Sequence, residues 1–175
     1  MRTIYFLALV LMLLVAGCTT SGSNQGLNQQ NSQHSNDYLD NLPSEEISGD
    51  EKEALIATLN DEFKAEATYQ KVMDKFGEIR PFSNIINAEQ RHSDSLIVLF
   101  NKYDLKIPEN DWYEKVSEFD SIQEACQAGV EAEIENVGLY DEMFSKVDNQ
   151  DIIQVFTSLR AASQEKHLPA FERCN

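Results

Sequence analysis

Residues 81–103 read PFSNIINAEQRHSDSLIVLFNKY. Ile85, Glu89, His92, Leu96, Leu99 and Tyr103 recur at spacings that alternate four and three. That spacing keeps all six on one face of an α-helix. Pro81 suits the opening of the helix, where a missing N–H is no loss. The stripe is apolar except in its first half, where it carries a glutamate and a histidine. No convincing period-two alternation occurs here or elsewhere in the chain, so the reading is all-α.

Three more segments behave the same way. The first opens near Gly49 and Asp50, with Ser48 or Asp50 as cap, and runs to Phe76 before Gly77. Its stripe is Leu55, Leu59, Glu62, Glu66, Tyr69, Met73 and Phe76. The third starts at the capping-box pattern Ser121-Ile-Gln-Glu124 and runs to about Lys146. Its stripe is Ile122, Cys126, Val130, Glu133, Val137, Tyr140 and Phe144. The fourth is capped by Asn149 or Asp151 and carries Ile152, Phe156, Leu159, Ser163, His167 and Phe171, with Gln164 three residues before His167. Between the second and third lies a longer loop containing Pro108, whose Trp112 and Tyr113 are expected to fold back as cover. Long helices joined mostly by short links imply an antiparallel four-helix bundle over residues 45–175, with the longer connection between helices 2 and 3.

Each stripe is thus polar at one level and apolar above and below it. A buried, unpaired carboxylate costs several kcal/mol. No Lys or Arg lies on any of the four stripes to compensate. Protonation could neutralise one or two of the carboxylates; a bound cation would neutralise all of them together. Carboxylates mixed with imidazoles suit iron, manganese or zinc better than magnesium or calcium. Glu89-Gln-Arg-His92 alone is weak evidence, because a chain with 3 His and 30 acidic residues offers about half of one such spacing by chance. Its place on an apolar face, opposite single carboxylates and a second histidine on the other stripes, gives it weight.

Four segments carry a resemblance: AEATYQKV (65–72), FSNIINAEQRH (82–92), GVEAEIENVGLYD (129–141) and HLPAF (167–171). In that order they resemble the ferritin-like superfamily, the carboxylate-bridged bundles that include ferritins and rubrerythrins. More narrowly, they resemble a prokaryotic ferritin-like domain family of unassigned function. Those bundles supply a Glu from each of two helices and a Glu-x-x-His from each of the other two. The resemblance implies a metal site of Glu62, Glu89, His92, Glu133 and His167, holding one or two ions of iron or manganese. It departs from the pattern at Gln164, where the superfamily has Glu, so Gln164 is expected to be a weak ligand or an outer partner. Pro169 implies a kink or early stop beyond His167. Glu66 and Glu131 are read as solvated or as outer partners. Tyr69 and Tyr140 are read as packing residues able to hydrogen-bond a ligand carboxylate.

The N-terminus reads as an address. Arg2 precedes an apolar run from Ile4 to Val15, too short to span a bilayer but right for a signal peptide. Val15-Ala16-Gly17-Cys18 resembles the lipobox of prokaryotic lipoproteins, which implies cleavage after residue 17 and lipidation of Cys18; an ordinary cleaved signal is the other reading. Residues 18–44 are then a polar tether, and His34 belongs to it. The expected location is extracytoplasmic, in the cell envelope, held to a membrane by lipid. With 14 basic against 30 acidic side chains, the net charge of −16 argues against nucleic acid as a partner. If helices three and four are antiparallel neighbours, Cys126 and Cys174 fall side by side and can form a disulfide; otherwise Cys126 is a buried free thiol.

Three function classes follow. One is an iron or manganese oxidoreductase, for which the resemblance implies ferroxidase- or peroxidase-like chemistry. Without a Cys-x-x-Cys pair the chain lacks a rubrerythrin's own electron relay. The second is a bundle that sequesters metal or docks a protein partner without turnover. The third is a structural bundle with protonated carboxylates.

Overall fold

The computed structural model describes residues 46–174. The readings of residues 1–17 as a signal peptide, of Cys18 as a lipidation site and of residues 18–44, with His34, as a tether lie outside the described residues. Among the described residues all regular structure is helical and there is no strand. The order is α1 Gly49–Phe76, α2 Phe82–Lys102, the short α3 Trp112–Lys115, α4 Ile122–Met143 and a 3₁₀ turn Phe144–Lys146. The chain then runs through α5 Gln150–Ala162, a π-helical turn Ser163–His167 and α6 Leu168–Glu172 without interruption. None of the described helices is long and apolar enough to cross a membrane.

Local chemistry sets the helix ends. The Ser48 hydroxyl accepts the Glu51 N–H at 3.1 Å, and the Glu51 carboxylate accepts the Ser48 N–H at 2.7 Å. This reciprocal box satisfies two of the helix's orphan donors. The other Glu51 oxygen accepts the N–H groups of Asp148 at 3.2 Å and Asn149 at 2.9 Å. Glu51 therefore ties the start of α1 to the turn before α5. Burial pushes its pKa upward, but the Ser48, Asn149 and Asp148 donors outweigh burial and hold it below the usual value. Gly77 ends α1 at φ +88°, a backbone conformation that favours glycine, and donates to the Met73 carbonyl at 2.7 Å. Ser121 caps α4 by accepting the Glu124 N–H, while Glu124 accepts from Asp120 rather than from Ser121. Asn149 caps α5 through the Asp151 N–H.

Pairs of contacts fix the helix directions. Glu62 meets Tyr140 while Tyr69 meets Glu133, so α1 and α4 run antiparallel. Glu62 meets His92 while Tyr69 meets Phe82, so α1 and α2 do too. Lys102 pairs with Asp151 and Glu89 faces His167, which sets α2 against the last helical stretch. Cys126 and Cys174 form a disulfide with Cα atoms 5.6 Å apart, joining the start of α4 to the end of that stretch.

Two apolar clusters result. One gathers Leu55, Leu59, Leu96, Leu99, Phe100, Tyr140, Ile152 and Phe156. The other gathers Tyr69, Val72, Phe82, Ile85, Ala125, Cys126 and Phe171. Glu62, Glu89, His92, Glu133 and His167 each fall between members of the two along their own helical stretch. Trp112 packs on the first cluster and donates its indole N–H to Asn60 at 3.1 Å. Tyr113 does not serve as cover; it is exposed and donates to Asp74.

The buried face of α4 differs from the expected stripe. Ile122 is 40% exposed, and Val130 and Val137 are only partly buried. The buried residues are Ala125, Cys126, Gly129, Glu133, Asn136, Tyr140 and Met143. The face is turned by about one residue because the Phe171 ring presses on α4 at Gly129. A Cβ there would meet Phe171 Cδ1 at 2.5 Å, so only glycine lets the ring in.

Candidate metal centre

The level between the two clusters holds five ionisable side chains from all four long helical stretches. Glu62, Glu89, His92, Glu133 and His167 are all buried, with Glu62 at 0% and His92 the most exposed at 8%. His92 Nδ1 lies 3.2 Å from Glu62 Oε2 and 3.1 Å from Glu89 Oε2. His167 Nδ1 lies 3.0 Å from Glu89 Oε1 and 3.5 Å from Glu133 Oε2. The two imidazoles stack, with centroids 5.3 Å apart and planes 18° from parallel. Glu89 is shared, one oxygen to each histidine. Ligand atoms of Glu89, His92 and His167 all lie within 4.8 Å of one another.

Two tyrosines hold the outer oxygens. Tyr140 donates to Glu62 Oε1 at 2.6 Å, and Tyr69 donates to Glu133 Oε1 at 2.7 Å. Asn136 Nδ2 donates to Asp61 Oδ2 at 2.9 Å and to Glu62 Oε1 at 3.3 Å. Each of Glu62 and Glu133 is thereby anchored at Oε1 and presents Oε2 to a histidine. Tyr69 and Tyr140, read from the sequence as packing residues able to bond a carboxylate, each donate to one here. Burial, then the neighbouring carboxylates, push both phenols well above their usual pKa.

The charges are arranged by proximity. Burial, reinforced by the Glu89 charge, raises Glu62 to about 7. Burial also works upward on Glu89, but contacts with His167 and His92 outweigh it and hold its carboxyl below the usual range. Burial works downward on both imidazoles, yet the carboxylates prevail, raising His92 to about 9 and His167 to about 10. Among the described residues no lysine or arginine pairs with any of the five. The side chains within reach that can carry a balancing positive charge are the two imidazoles.

The donor set fits a transition metal. Three carboxylates and two imidazoles are the mixture that iron, manganese and zinc take. Glu89 Oε1 and His167 Nδ1 are buried and 3.0 Å apart as an ion pair, yet the angles give neither atom a hydrogen bond. A cation held jointly by these groups would satisfy both.

Other expected residues lie elsewhere. Gln164 is no partner of the centre: it is exposed and accepts from Arg160 at 2.6 Å, and Arg160 in turn pairs with Asp141. The cause is the π-helical turn, in which the Leu168 N–H reaches back five residues to the Ser163 carbonyl. The wider turn separates residues three apart, so Ser163 and His167 stay inside while Gln164 swings out. Pro169 does not stop the helix; it sits in the first turn of α6, just after that bulge. Glu66 is half-buried beside Asp94 and Glu89, where burial and then those charges raise its pKa, and Glu131 is exposed. Asn136 and Asp61 escaped the sequence reading. Asn136 sits seven residues before Met143 and three after Glu133, at a helical spacing that a purely apolar or acidic template passes over.

The comparisons with known proteins agree with one another. The uncharacterized protein domain DUF2202 matches residues 51–174. The uncharacterized protein MJ0754 of Methanocaldococcus jannaschii is 32% identical over 152 residues, covering 78% of this chain and 81% of that protein. The crystal structure of hypothetical protein MJ0754 from Methanococcus jannaschii DSM 2661 aligns with a TM-score of 0.68 at 29% identity, over 75% of this chain and 83% of that one. A match from the first turn of α1 to Cys174 takes in every helix and all five buried ionisable residues: the chain belongs to the DUF2202 family.

Proposed function

We propose that the chain is a metal-binding protein of ferritin-like build, an antiparallel four-helix bundle over residues 45–175. Glu62, Glu89, His92, Glu133 and His167 would hold one or two ions of iron or manganese, with zinc as the remaining candidate. The observation that carries this reading is the buried cluster of three carboxylates and two imidazoles, in which Glu89 Oε1 and His167 Nδ1 face each other without a hydrogen bond. When bound, such ions supply Lewis-acid and redox chemistry, which makes ferroxidase- or peroxidase-like activity the catalytic version of the proposal. The chain's own part is positioning. Tyr69 and Tyr140 fix the tilt of Glu133 and Glu62, Glu89 spans both histidines, and the apolar clusters on either side keep water from the level between them.

A second reading is storage or sequestration without turnover. It is favoured by residue 164, a glutamine turned outward to Arg160, so that Glu89-x-x-His92 has no counterpart before His167. The run ending in Val15-Ala16-Gly17-Cys18 supports placing the protein outside the cytoplasm, lipid-anchored to a membrane.

Metal content of the purified full chain, before and after anaerobic loading with iron(II) or manganese(II) and desalting, tests the proposal. One or two ions per chain and a higher melting temperature are expected, because the ion binds the native state. Retention of no metal, with no gain in stability, would sink the reading. An optical change on admitting O₂ to the iron(II)-loaded protein separates turnover from storage. Release from membranes, or blocked processing, in Cys18→Ser tests the anchor.

A further inference from the structure

The five residues of the centre are almost wholly shut off from solvent, so any ion must reach them through a breach in the helical wall. We propose that the cleft between α1 and α4 is the route by which a divalent cation enters, with Asp61 and Asn136 as its first resting place. The inference rests on the metal-binding reading above.

A cavity of about 20 Å³ opens in that cleft. Glu89 and Glu133 form its inner end, Ala65 and Ala132 line it, and Asp61 and Asn136 stand beside them. It is thus a space in contact both with two residues of the centre and with partly exposed residues of α1. Asn136 is 6% exposed, and its Oδ1 has no hydrogen-bond partner. Its Nδ2 joins Asp61 to Glu62, so one side chain connects a carboxylate at the rim to a carboxylate of the centre.

The size and chemistry of the cavity select the traveller. A volume of this order holds about one water-sized particle. A hydrated ion does not fit, so the cation must exchange water for protein oxygens as it passes. Asp61, the free Oδ1 of Asn136, and then Glu133 and Glu89 offer such oxygens in sequence. Carboxylates with low-dielectric walls between them concentrate cations and repel anions. Lys64, also on the rim, is 3.9 Å from Glu135 across the cleft, with its side chain 44% exposed and that of Glu135 71%. Such a surface pair is weak and gives way easily.

The time course of manganese(II) uptake by the full chain tests this route against final metal content. Ala132→Leu fills the passage and should slow uptake at least tenfold while leaving the final content unchanged. Asp61→Asn keeps the Asn136 contact but removes the rim charge; uptake should slow several-fold and lose much of its salt dependence. Asn87→Leu, on the exposed side of α2, should load as the wild type does. If folded Ala132→Leu loads at the wild-type rate, the route is wrong. If Ala132→Leu fails to fold, Asp61→Asn decides, and an unchanged rate and salt dependence overturn the proposal. If Asp61→Asn lowers final content instead of rate, Asp61 is a ligand, and the resting-place role is overturned. Wild-type protein that takes up no metal at all defeats the metal-binding reading itself; wild-type loading with unaffected variants defeats only the route.

Discussion

The centre has two halves that differ at one position. In the first, Glu62 of α1 faces His92 and is held by Tyr140 at 2.6 Å. In the second, Glu133 of α4 faces His167 and is held by Tyr69 at 2.7 Å. Each tyrosine stands seven residues after the glutamate of the opposite half, so the two halves exchange partners like copies of one motif. The likeness fails at the residue three before each histidine. Before His92 that residue is Glu89, on regular α-helix and pointing inward. Before His167 it is Gln164, turned outward by the π-helical turn to Arg160. Residue identity and local helix geometry together remove a carboxylate from the second half. The remaining carboxylate, Glu89, then serves both histidines.

The largest expected effect bears on the second half alone. The disulfide closes a separation of 48 residues and pins the chain seven residues after His167. Loop-closure entropy assigns it about 4 kcal/mol, which C126S/C174S should lose in urea unfolding. Metal affinity should fall with it. An unchanged midpoint would show that Phe171 packing holds this end unaided.

Glu89→Gln comes next. Because one carboxylate serves both histidines, the substitution should weaken metal binding about 100-fold, near 2.8 kcal/mol. Competition with a chelator measures it. A loss confined to one of two ions would show that the halves do not share Glu89.

Tyr140→Phe and Tyr69→Phe compare the halves directly. Each removes the hydrogen bond that orients a glutamate, and such losses typically cost 10–100-fold in metal affinity. Tyr140→Phe should do less harm than Tyr69→Phe, because Asn136 Nδ2 also reaches Glu62 Oε1, at 3.3 Å. The reverse order, by the same chelator assay, would mean that Asn136 gives no support.

Gln164→Glu should have the smallest effect. The new carboxylate would sit on the surface beside Arg160, with stability within about 0.5 kcal/mol of wild type and metal content unchanged. A second ion bound by this variant would show that the π-helical turn rewinds when a ligand is offered.

Much of this was legible in the residues. Alternating spacings of four and three located all the long helices, and Ser48, Gly77, Ser121 and Asn149 marked their ends. The α2 stripe from Ile85 to Tyr103 is buried at every position expected. The α4 stripe was not legible to the same degree. Its buried face depends on Phe171 entering at Gly129, a contact between residues 42 positions apart that no local pattern encodes.

By itself the sequence determined that the chain is helical, that each long helix has one buried face, and that Glu62, Glu89, His92, Glu133 and His167 lie on those faces. These follow from the fixed rotation per residue of an α-helix, a local property. Only the tertiary structure decided that Glu89 is shared by both histidines, that Asn136 joins Asp61 to Glu62, and that Gln164 leaves the centre. Those outcomes depend on how the helices are set against one another and on one turn that departs from α geometry. Side chains from four separate stretches converge there, and their distances are set by packing.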